Sequence, residues 1–188
     1  RNVTGVQTCA LPIFTSSTFL NLIRDIPDYP KPGILFKDIT PLLADAKAFR
    51  KIAKEITKTF GKKSFDYIAG VEARGFVLAA SLATLTKTGF IPIRKKGKLP
   101  GATISQSYNL EYGTDTLEIH TGIIPKKSRI LVVDDVLATG GTAIASIKLL
   151  EQEDLSVVGI AFLLQIDGLY GYQKIADQFP NLPIKVVI

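Results

Sequence analysis

The fold is decided by the stretch from Arg129 to Glu153, whose sequence is RILVVDDVLATGGTAIASIKLLEQE. It begins with an apolar run, continues through two adjacent aspartates and a Gly-Gly pair, and ends in a segment whose apolar residues recur at helical spacing. This order predicts a buried strand at residues 129–133, a tight turn, and a helix at residues 143–153. Because strands that alternate with helices form parallel sheets, the stretch indicates an α/β fold.

The rest of the chain repeats this alternation. Apolar periodicity predicts strands at residues 67–71, 90–93, 157–165 and 184–188, and helices at residues 46–60, 76–85 and 170–179. Asp45 and Gly61 are the predicted start and stop of the first helix. Between residues 104 and 120 apolar and polar side chains alternate around a turn at residues 113–115, which predicts an antiparallel hairpin. The predicted class is α/β, a central mostly parallel sheet with helices on both faces and a projecting antiparallel flap.

Size and composition limit the classes of protein to consider. The 188 residues are 46% hydrophobic, which is enough for one sizeable core, so residues 18–188 are predicted to form a single domain. Residues 1–17 differ in character from the rest of the chain and show no signal-peptide pattern; because the chain also lacks Met, they are interpreted as a foreign leader. No apolar stretch approaches the roughly 20 residues of a membrane helix, which predicts no membrane partner. The lone Cys9 cannot form an internal disulfide, and a cytoplasmic location is predicted.

The chain is basic, with a formal net charge of +6 and a pI near 9.4. Such a charge suits nucleic acid, anionic lipid or a small polyanionic substrate. Four cations, Arg94, Lys95, Lys96 and Lys98, fall within five positions in a loop that also contains glycine and proline. Residues 1–25 are too short and unpatterned for a DNA-binding module, so no nucleic-acid partner is predicted. A regulator that senses a sugar phosphate and binds nucleic acid is the alternative.

The turn in the opening stretch has the chemistry of a phosphate site. Asp134 and Asp135 end the predicted strand, and the helix then begins with two hydroxyls and two glycines: Thr139, Gly140, Gly141 and Thr142. Unpaired N–H donors at a helix N-terminus bind phosphate, and glycines let it approach the backbone. Adjacent carboxylates beside a phosphate need sugar hydroxyls or a divalent cation, so a sugar phosphate is predicted. An ordinary turn capped by aspartate is the alternative, whereas a nucleotide-hydrolase loop is excluded because Phe76 stands where its lysine would be.

Residues 132–142 resemble the phosphoribosyl pyrophosphate loop of type I phosphoribosyltransferases. Four further stretches are similar to adenine phosphoribosyltransferases: residues 26–41, 66–76, 93–101 and 107–113. The resemblance implies a type I phosphoribosyltransferase-like fold with an N-terminal base-binding hood. It also implies transfer of ribose 5-phosphate from phosphoribosyl pyrophosphate to adenine, giving AMP and pyrophosphate, with Mg²⁺ as cofactor in a homodimer. The metal is expected to bind through the substrate rather than through dedicated protein ligands, and the same chemistry on a 6-oxopurine is the alternative.

The resemblance implies phosphate-binding and ribose-binding roles for particular residues. The residues that cradle the 5-phosphate are Ala138, Thr139, Gly140, Gly141 and Thr142. Asp134 and Asp135 face the ribose hydroxyls. The cations that match substrate-binding positions are Arg74, Arg94, Lys95 and Lys98. A non-proline cis peptide is expected between Glu72 and Ala73.

The resemblance also implies residues for catalysis and for the base. Glu111 and Tyr112 match the catalytic flap, in which the glutamate exchanges a proton with the base; a solvated turn carboxylate is the alternative for Glu111. Backbone groups of Leu35 are expected to bind the purine edge, and Val136 to pack on its face. Lys37 belongs to the same specificity segment but stands where arginine is common, and lysine lacks the planar fork of arginine.

Overall fold

The structure is a computed structural model that describes residues 19–109 and 113–188. The chain divides into two compact units, Arg1–Ala48 and Phe49–Ile188, of which the first is described from residue 19 onward. The predicted leader at residues 1–17 lies outside the described residues, as do Glu111 and Tyr112. Within the described ranges, no helix has both the length and the apolar character needed to cross a membrane.

The first unit contains a two-stranded antiparallel ribbon and a short helix: β1 (Arg24–Pro27), β2 (Leu35–Asp38) and α1 (Thr40–Ala44). Asp38 ends the ribbon and accepts hydrogen bonds from the backbone N and the hydroxyl of Thr40, at 2.9 and 2.6 Å, and from Arg24 Nη2 at 2.5 Å. These bonds, with those from Thr40 the largest cause, lower the pKa of Asp38 to about 2. The carboxylate therefore ties the end of the ribbon to the start of α1.

The second unit is built on one seven-stranded sheet. Its strands are β3 (Tyr67–Val71), β4 (Gly89–Lys95), β5 (Thr103–Asn109), β6 (Thr114–His120), β7 (Arg129–Leu137), β8 (Ser156–Gln165) and β9 (Ile184–Val186). The helices are α2 (Ala46–Phe60), which begins in the first unit, α3 (Arg74–Thr86), α4 (Gly141–Gln152) and α5 (Gly171–Gln178). The strand order is β5-β6-β4-β3-β7-β8-β9. The neighbouring pairs β4-β3, β3-β7, β7-β8 and β8-β9 are parallel. The predicted α/β class with a mostly parallel sheet is confirmed.

Helix α2 has the bounds that the sequence predicted, because both of its ends are determined locally. Asp45 Oδ1 accepts hydrogen bonds from the backbone N of Lys47 and of Ala48, both at 2.9 Å. At the other end Gly61 has φ +76° and donates its N–H to Thr57 O at 2.9 Å. An aspartate cap at the start and a left-handed glycine at the end are common helix boundaries.

The predicted hairpin is present, but two residues of its predicted turn lie in a strand. Strands β5 and β6 pair antiparallel and join the edge of the main sheet through β4. Thr114 and Asp115, predicted to lie in the turn, belong to β6 and pair with Asn109 and Tyr108. The turn prediction was wrong because pairing with β5 extends the strand through Asp115, a residue type that is depleted in strands.

Strand β7 lies at the centre of the sheet and forms much of the core. Residues 130–133 are completely buried, as befits a strand covered on both faces. The strand does not stop at Val133 as predicted, because Asp134 and Val136 still pair with Phe162 and Leu164 of β8. Both aspartates are therefore held in a regular strand rather than in a flexible turn.

Candidate active site

The chemically active side chains meet at the carboxyl ends of β3, β4 and β7. They line a cavity of about 410 Å³ whose polar walls include Glu72, Arg74, Lys95, Asp115, Asp134 and Asp135. All belong to the second unit. Crevices at the carboxyl ends of parallel strands are the usual ligand sites of open α/β sheets. The structure thus brings together the aspartate pair and two of the cations that the sequence analysis selected.

The aspartate pair is crowded and largely shielded from water. Arg74 Nε lies 2.6 Å from Asp135 Oδ2, yet this buried oxygen has no well-aligned hydrogen bond among the described residues. Burial raises the pKa of both carboxyls, and the charge of Asp135 raises that of Asp134 further. Two carboxylates in this position are stabilised by hydroxyl donors or by a cation, as a ribose or a metal-bound sugar phosphate would supply.

A glycine allows helix α3 to begin beside this pair. A Cβ atom at Gly75 would lie 2.8 Å from Asp134 Oδ1 and 3.1 Å from its Cα, which is too close for any side chain. The expected cis peptide between Glu72 and Ala73 is present just before the helix. The turn from β3 into α3 therefore places Arg74 directly against the end of β7.

A chain of polar contacts connects the basic loop, residues 94–98, to the phosphate loop, residues 138–142. Lys95 Nζ lies 3.0 Å from Asp115 Oδ2, and this partner raises the pKa of the lysine. Burial would raise the pKa of Asp115, but hydrogen bonds from Lys95 and Thr116 outweigh burial and lower it. Tyr108 lies between the two loops: its hydroxyl is 3.4 Å from Asp115 Oδ2 and 3.3 Å from Thr142 Oγ1. Lys95 and Thr142, which are predicted to bind opposite ends of the substrate, thus belong to one network of polar contacts.

Arg94 has a protein partner. Its Nε and Nη2 lie 3.1 and 2.9 Å from the two carboxylate oxygens of Glu72, and its Nη1 donates to Lys98 O at 2.9 Å. Hydrogen bonds from the guanidinium are the largest cause of the lowered pKa of Glu72. A direct contact between Arg94 and substrate stays a prediction, as does one for the exposed side chain of Lys98.

The predicted phosphate loop lies between the end of β7 and α4, which begins at Gly141, two residues before the predicted start. The residues from Val136 to Ala143 line a cavity of about 50 Å³ together with Asp134 and Phe162. Gly140 has φ +77°, and helix α4 begins at the next residue with no side-chain cap among the described residues. Its first N–H groups consequently face a small polar cavity, where an anion can accept from them.

Gly171 packs against the backbone of this loop, and the sequence analysis did not identify it. A Cβ atom at Gly171 would lie well inside contact distance of Ala138 O and 2.9 Å from Gly140 N. The start of α5 therefore packs directly on the backbone of the phosphate loop. Nothing in the local sequence around Gly171 signals this contact, because its partners lie far away along the chain.

The residues predicted to bind the base are found in both units. In the first unit, the side chain of Leu35 is exposed, and Lys37 Nζ forms an ion pair with Asp25 Oδ1 at 2.7 Å. In the second unit, Val136 is half-buried at the wall of the small cavity. Their contacts with adenine stay predictions.

Comparison with known proteins agrees with this geometry. The phosphoribosyl transferase domain family matches residues 37–180. The adenine phosphoribosyltransferase of Xanthomonas axonopodis pv. citri (strain 306) is 52% identical over 160 residues, which cover 85% of this chain and 86% of the relative. The crystal structure of adenine phosphoribosyltransferase from Thermoanaerobacter pseudethanolicus ATCC 33223 matches with a TM-score of 0.86 and 46% identity, over 93% of this chain and 99% of that one.

A relative crystallised with a ligand also matches. The adenine phosphoribosyltransferase of Saccharomyces cerevisiae, in complex with an imino-altritol bisphosphate and adenine, has a TM-score of 0.83 and 34% identity, over 92% of this chain and 98% of that one. The family match covers most of the sheet and both loops of the cavity. This chain belongs to the adenine phosphoribosyltransferases, within the phosphoribosyl transferase domain family.

Proposed function

We propose that this chain carries out the reaction of its family at the cavity between β3, β4 and β7. The reaction transfers ribose 5-phosphate from phosphoribosyl pyrophosphate to adenine, giving AMP and pyrophosphate. One observation carries the proposal: a helix N-terminus without a side-chain cap, a buried aspartate pair and two cations lie around the carboxyl ends of β3, β4 and β7. These groups are complementary in turn to a 5-phosphate, to ribose hydroxyls and to a pyrophosphate.

The phosphate loop and the aspartates hold the ribose 5-phosphate. The groups that receive the phosphate are the backbone N–H groups and hydroxyls of Ala138, Thr139, Gly140, Gly141 and Thr142. Asp134 and Asp135 accept hydrogen bonds from the ribose hydroxyls. Burial raises the pKa of both carboxyls, the charge of Asp135 raises that of Asp134 further, and hydroxyl donors would relieve this cost.

The cations at the other end of the cavity bind the leaving group. Arg74, Lys95 and Lys98 receive the pyrophosphate, and Arg94 belongs to the same binding set. Charge develops on the pyrophosphate as the bond between its oxygen and the anomeric carbon breaks and the bond from that carbon to adenine N9 forms, so preorganised cations stabilise the transition state more than the ground state. Lys95 exchanges its partner Asp115 for the pyrophosphate oxygens.

The residues present fit a magnesium ion. Mg²⁺ prefers oxygen ligands in an octahedral arrangement, and the substrate's pyrophosphate and ribose oxygens, held beside the carboxylates of Asp134 and Asp135, would supply them. No group of three or more metal-ligating side chains occurs in the described ranges, so pyrophosphate and ribose oxygens would complete the coordination. When bound, the ion would neutralise charge on the pyrophosphate.

The base is bound by Leu35, Lys37 and Val136, and proton exchange is assigned to Glu111 beside Tyr112. Support for adenine comes from the Saccharomyces cerevisiae relative, whose crystal structure contains that base. The backbone amide and carbonyl of Leu35 suit a 6-amino purine and mismatch a 6-oxo one. Leaving such groups unpaired costs about 1 to 3 kcal/mol each, so hypoxanthine should be used at least about tenfold less efficiently than adenine.

Initial rates with adenine, hypoxanthine, guanine, xanthine and orotate test the assignment of the base. AMP formation from adenine at a kcat/KM at least about tenfold above the other bases supports it. Equal efficiency with hypoxanthine would establish the 6-oxopurine alternative, and no transfer to any base would refute the proposed function.

The proposal includes a homodimer in the cytoplasm, with no nucleic-acid partner. The apolar side chains of Val77 on α3 and Phe90 on β4 are exposed, and the ring of Phe90 makes an edge contact with that of Phe76, 5.5 Å between centroids. Neither Val77 nor Phe90 lines the cavity, so a second copy of this chain could cover both without filling the site. Light scattering at micromolar concentration tests this, and a stable monomer with full activity contradicts it.

A further inference from the structure

The main chain of the basic loop, residues 94–98, is held by hydrogen bonds. Within it, Lys96 N donates to Thr116 O on the neighbouring strand at 2.9 Å. Lys98 N donates to Lys95 O at 3.2 Å, which closes a tight turn. The side chains of all three lysines are nevertheless exposed. The loop therefore presents three exposed lysines on a hydrogen-bonded main chain.

Two carboxylates complete this arrangement. Glu72 Oε2 accepts the N–H of Lys95 at 3.1 Å, and Glu118 Oε2 accepts the N–H of Gly97 at 3.0 Å. All four consecutive N–H groups from residue 95 to residue 98 thus have acceptors, and two of these are charged. Hydrogen bonds to a carboxylate are stronger than those to a neutral carbonyl.

The position of Glu118 is unusual for a carboxylate. It lies on β6 between Leu117 and Ile119, which are completely buried, and Glu118 itself is only 7% exposed. A buried charge is costly unless it is hydrogen-bonded. Its partner Gly97 has φ +79°, a conformation that glycine adopts without strain. Without an acceptor, this glycine turn would gain conformational freedom.

We propose that Glu118 is a positioning residue for pyrophosphate binding: by fixing the Gly97 turn it orients Lys95, which lines the cavity, and Lys98, which closes the same turn. The inference rests on the proposed function, in which these lysines bind the pyrophosphate. Glu118 does not touch the substrate and acts only through the backbone of the loop. Since preorganised groups lose less conformational entropy on binding, losing the acceptor weakens pyrophosphate binding by about tenfold.

The test compares two substitutions at Glu118 with a matched control. Glu118→Ala removes the acceptor, whereas Glu118→Gln removes the charge but keeps an oxygen that can accept from Gly97 N. The control is Glu153→Ala, because Glu153 Oε2 accepts the N–H of Gly122 at 3.2 Å in the turn after β6. It removes the same kind of bond at a turn whose residues do not line the cavity.

Pyrophosphate affinity is measured by isothermal titration calorimetry at fixed Mg²⁺, together with the KM for adenine and the melting temperature. Glu118→Ala is expected to raise the Kd of pyrophosphate about tenfold and to leave the KM for adenine unchanged. Glu118→Gln and Glu153→Ala should bind pyrophosphate within about twofold of wild type. A residue with only a structural role would lower the melting temperature of Glu118→Ala without changing this affinity.

Each other outcome overturns the inference. Wild-type affinity in Glu118→Ala excludes a positioning role, and an equal loss in Glu118→Gln shows that charge rather than the acceptor matters. If Glu118→Ala does not fold, Glu118→Asp takes its place, since the shorter side chain withdraws the acceptor from Gly97; normal affinity there excludes the role as well. Wild-type protein that forms no AMP from adenine refutes the proposed function and this inference together, whereas normal AMP formation with normal affinity in Glu118→Ala refutes only the role of Glu118.

Discussion

Replacing Gly171 by alanine should displace the phosphate loop, because Gly171 packs directly on the backbone of that loop. The new methyl group would overlap Ala138 O and lie 2.9 Å from Gly140 N, and both are backbone atoms that cannot rotate away. The loop or the start of α5 must therefore move by about 1 Å, and overpacking of this kind costs about 1 to 3 kcal/mol. A displacement of about 1 Å at a binding site can cost about 10²-fold in rate, so kcat/KM for phosphoribosyl pyrophosphate should fall by about 10-fold to 10²-fold.

Gly159→Ala provides the matched control. A Cβ atom there would overlap the ring of Phe60, so the same substitution also creates a clash. Gly159 pairs with Leu131 in the first half of β7, whereas the phosphate loop comes after the end of that strand. The control should lower the melting temperature without changing the KM for phosphoribosyl pyrophosphate. A folded Gly171→Ala variant whose kcat/KM stays within about twofold of wild type, or an equal loss in the control, would refute the reasoning.

Three further predictions concern the flap, the phosphate loop and the pH dependence of stability. Glu111→Gln should lower kcat by about 10² to 10⁴ fold with little change in sugar-phosphate affinity, since it cannot take a proton; near-wild-type kcat would show that Glu111 transfers none. In crystals soaked with AMP, the 5-phosphate should contact backbone N–H groups between Thr139 and Thr142, and ligand bound elsewhere would contradict the site. Hydrogen bonds from Arg129 lower the pKa of Asp66 from 3.8 to about 2, so this pair stabilises the fold fully above about pH 4 and progressively less toward about pH 2. As the pH falls over this range, the melting temperature of Asp66→Asn should therefore fall less than that of wild type. Parallel curves of melting temperature against pH would exclude a contribution from this ion pair.

Much of the secondary structure could be predicted because its causes are local. The bounds of α2 are set by a cap and a left-handed glycine, Asp45 and Gly61, that adjoin it in sequence. Strand ends were less predictable, since they depend on neighbours. The pairing of Asp134 and Val136 with β8 extends β7, and the pairing of Asp115 with Tyr108 turns a predicted loop residue into a strand residue.

The sequence by itself determined which chemistry the site carries. Two aspartates, a glycine turn and a threonine at a helix start predict a sugar-phosphate loop, and the residues from Arg94 to Lys98 are its predicted cations, because the residues of each group adjoin one another in the chain. Only the tertiary structure decided what supports them. Glu118 holds Gly97 across 21 residues, and Gly171 packs on Ala138 from another helix. Spacing along a chain encodes helical and strand periodicity. Which distant parts of the backbone come close enough to exclude a methyl group or to accept a hydrogen bond depends on the register of the sheet and on the packing of helices against it.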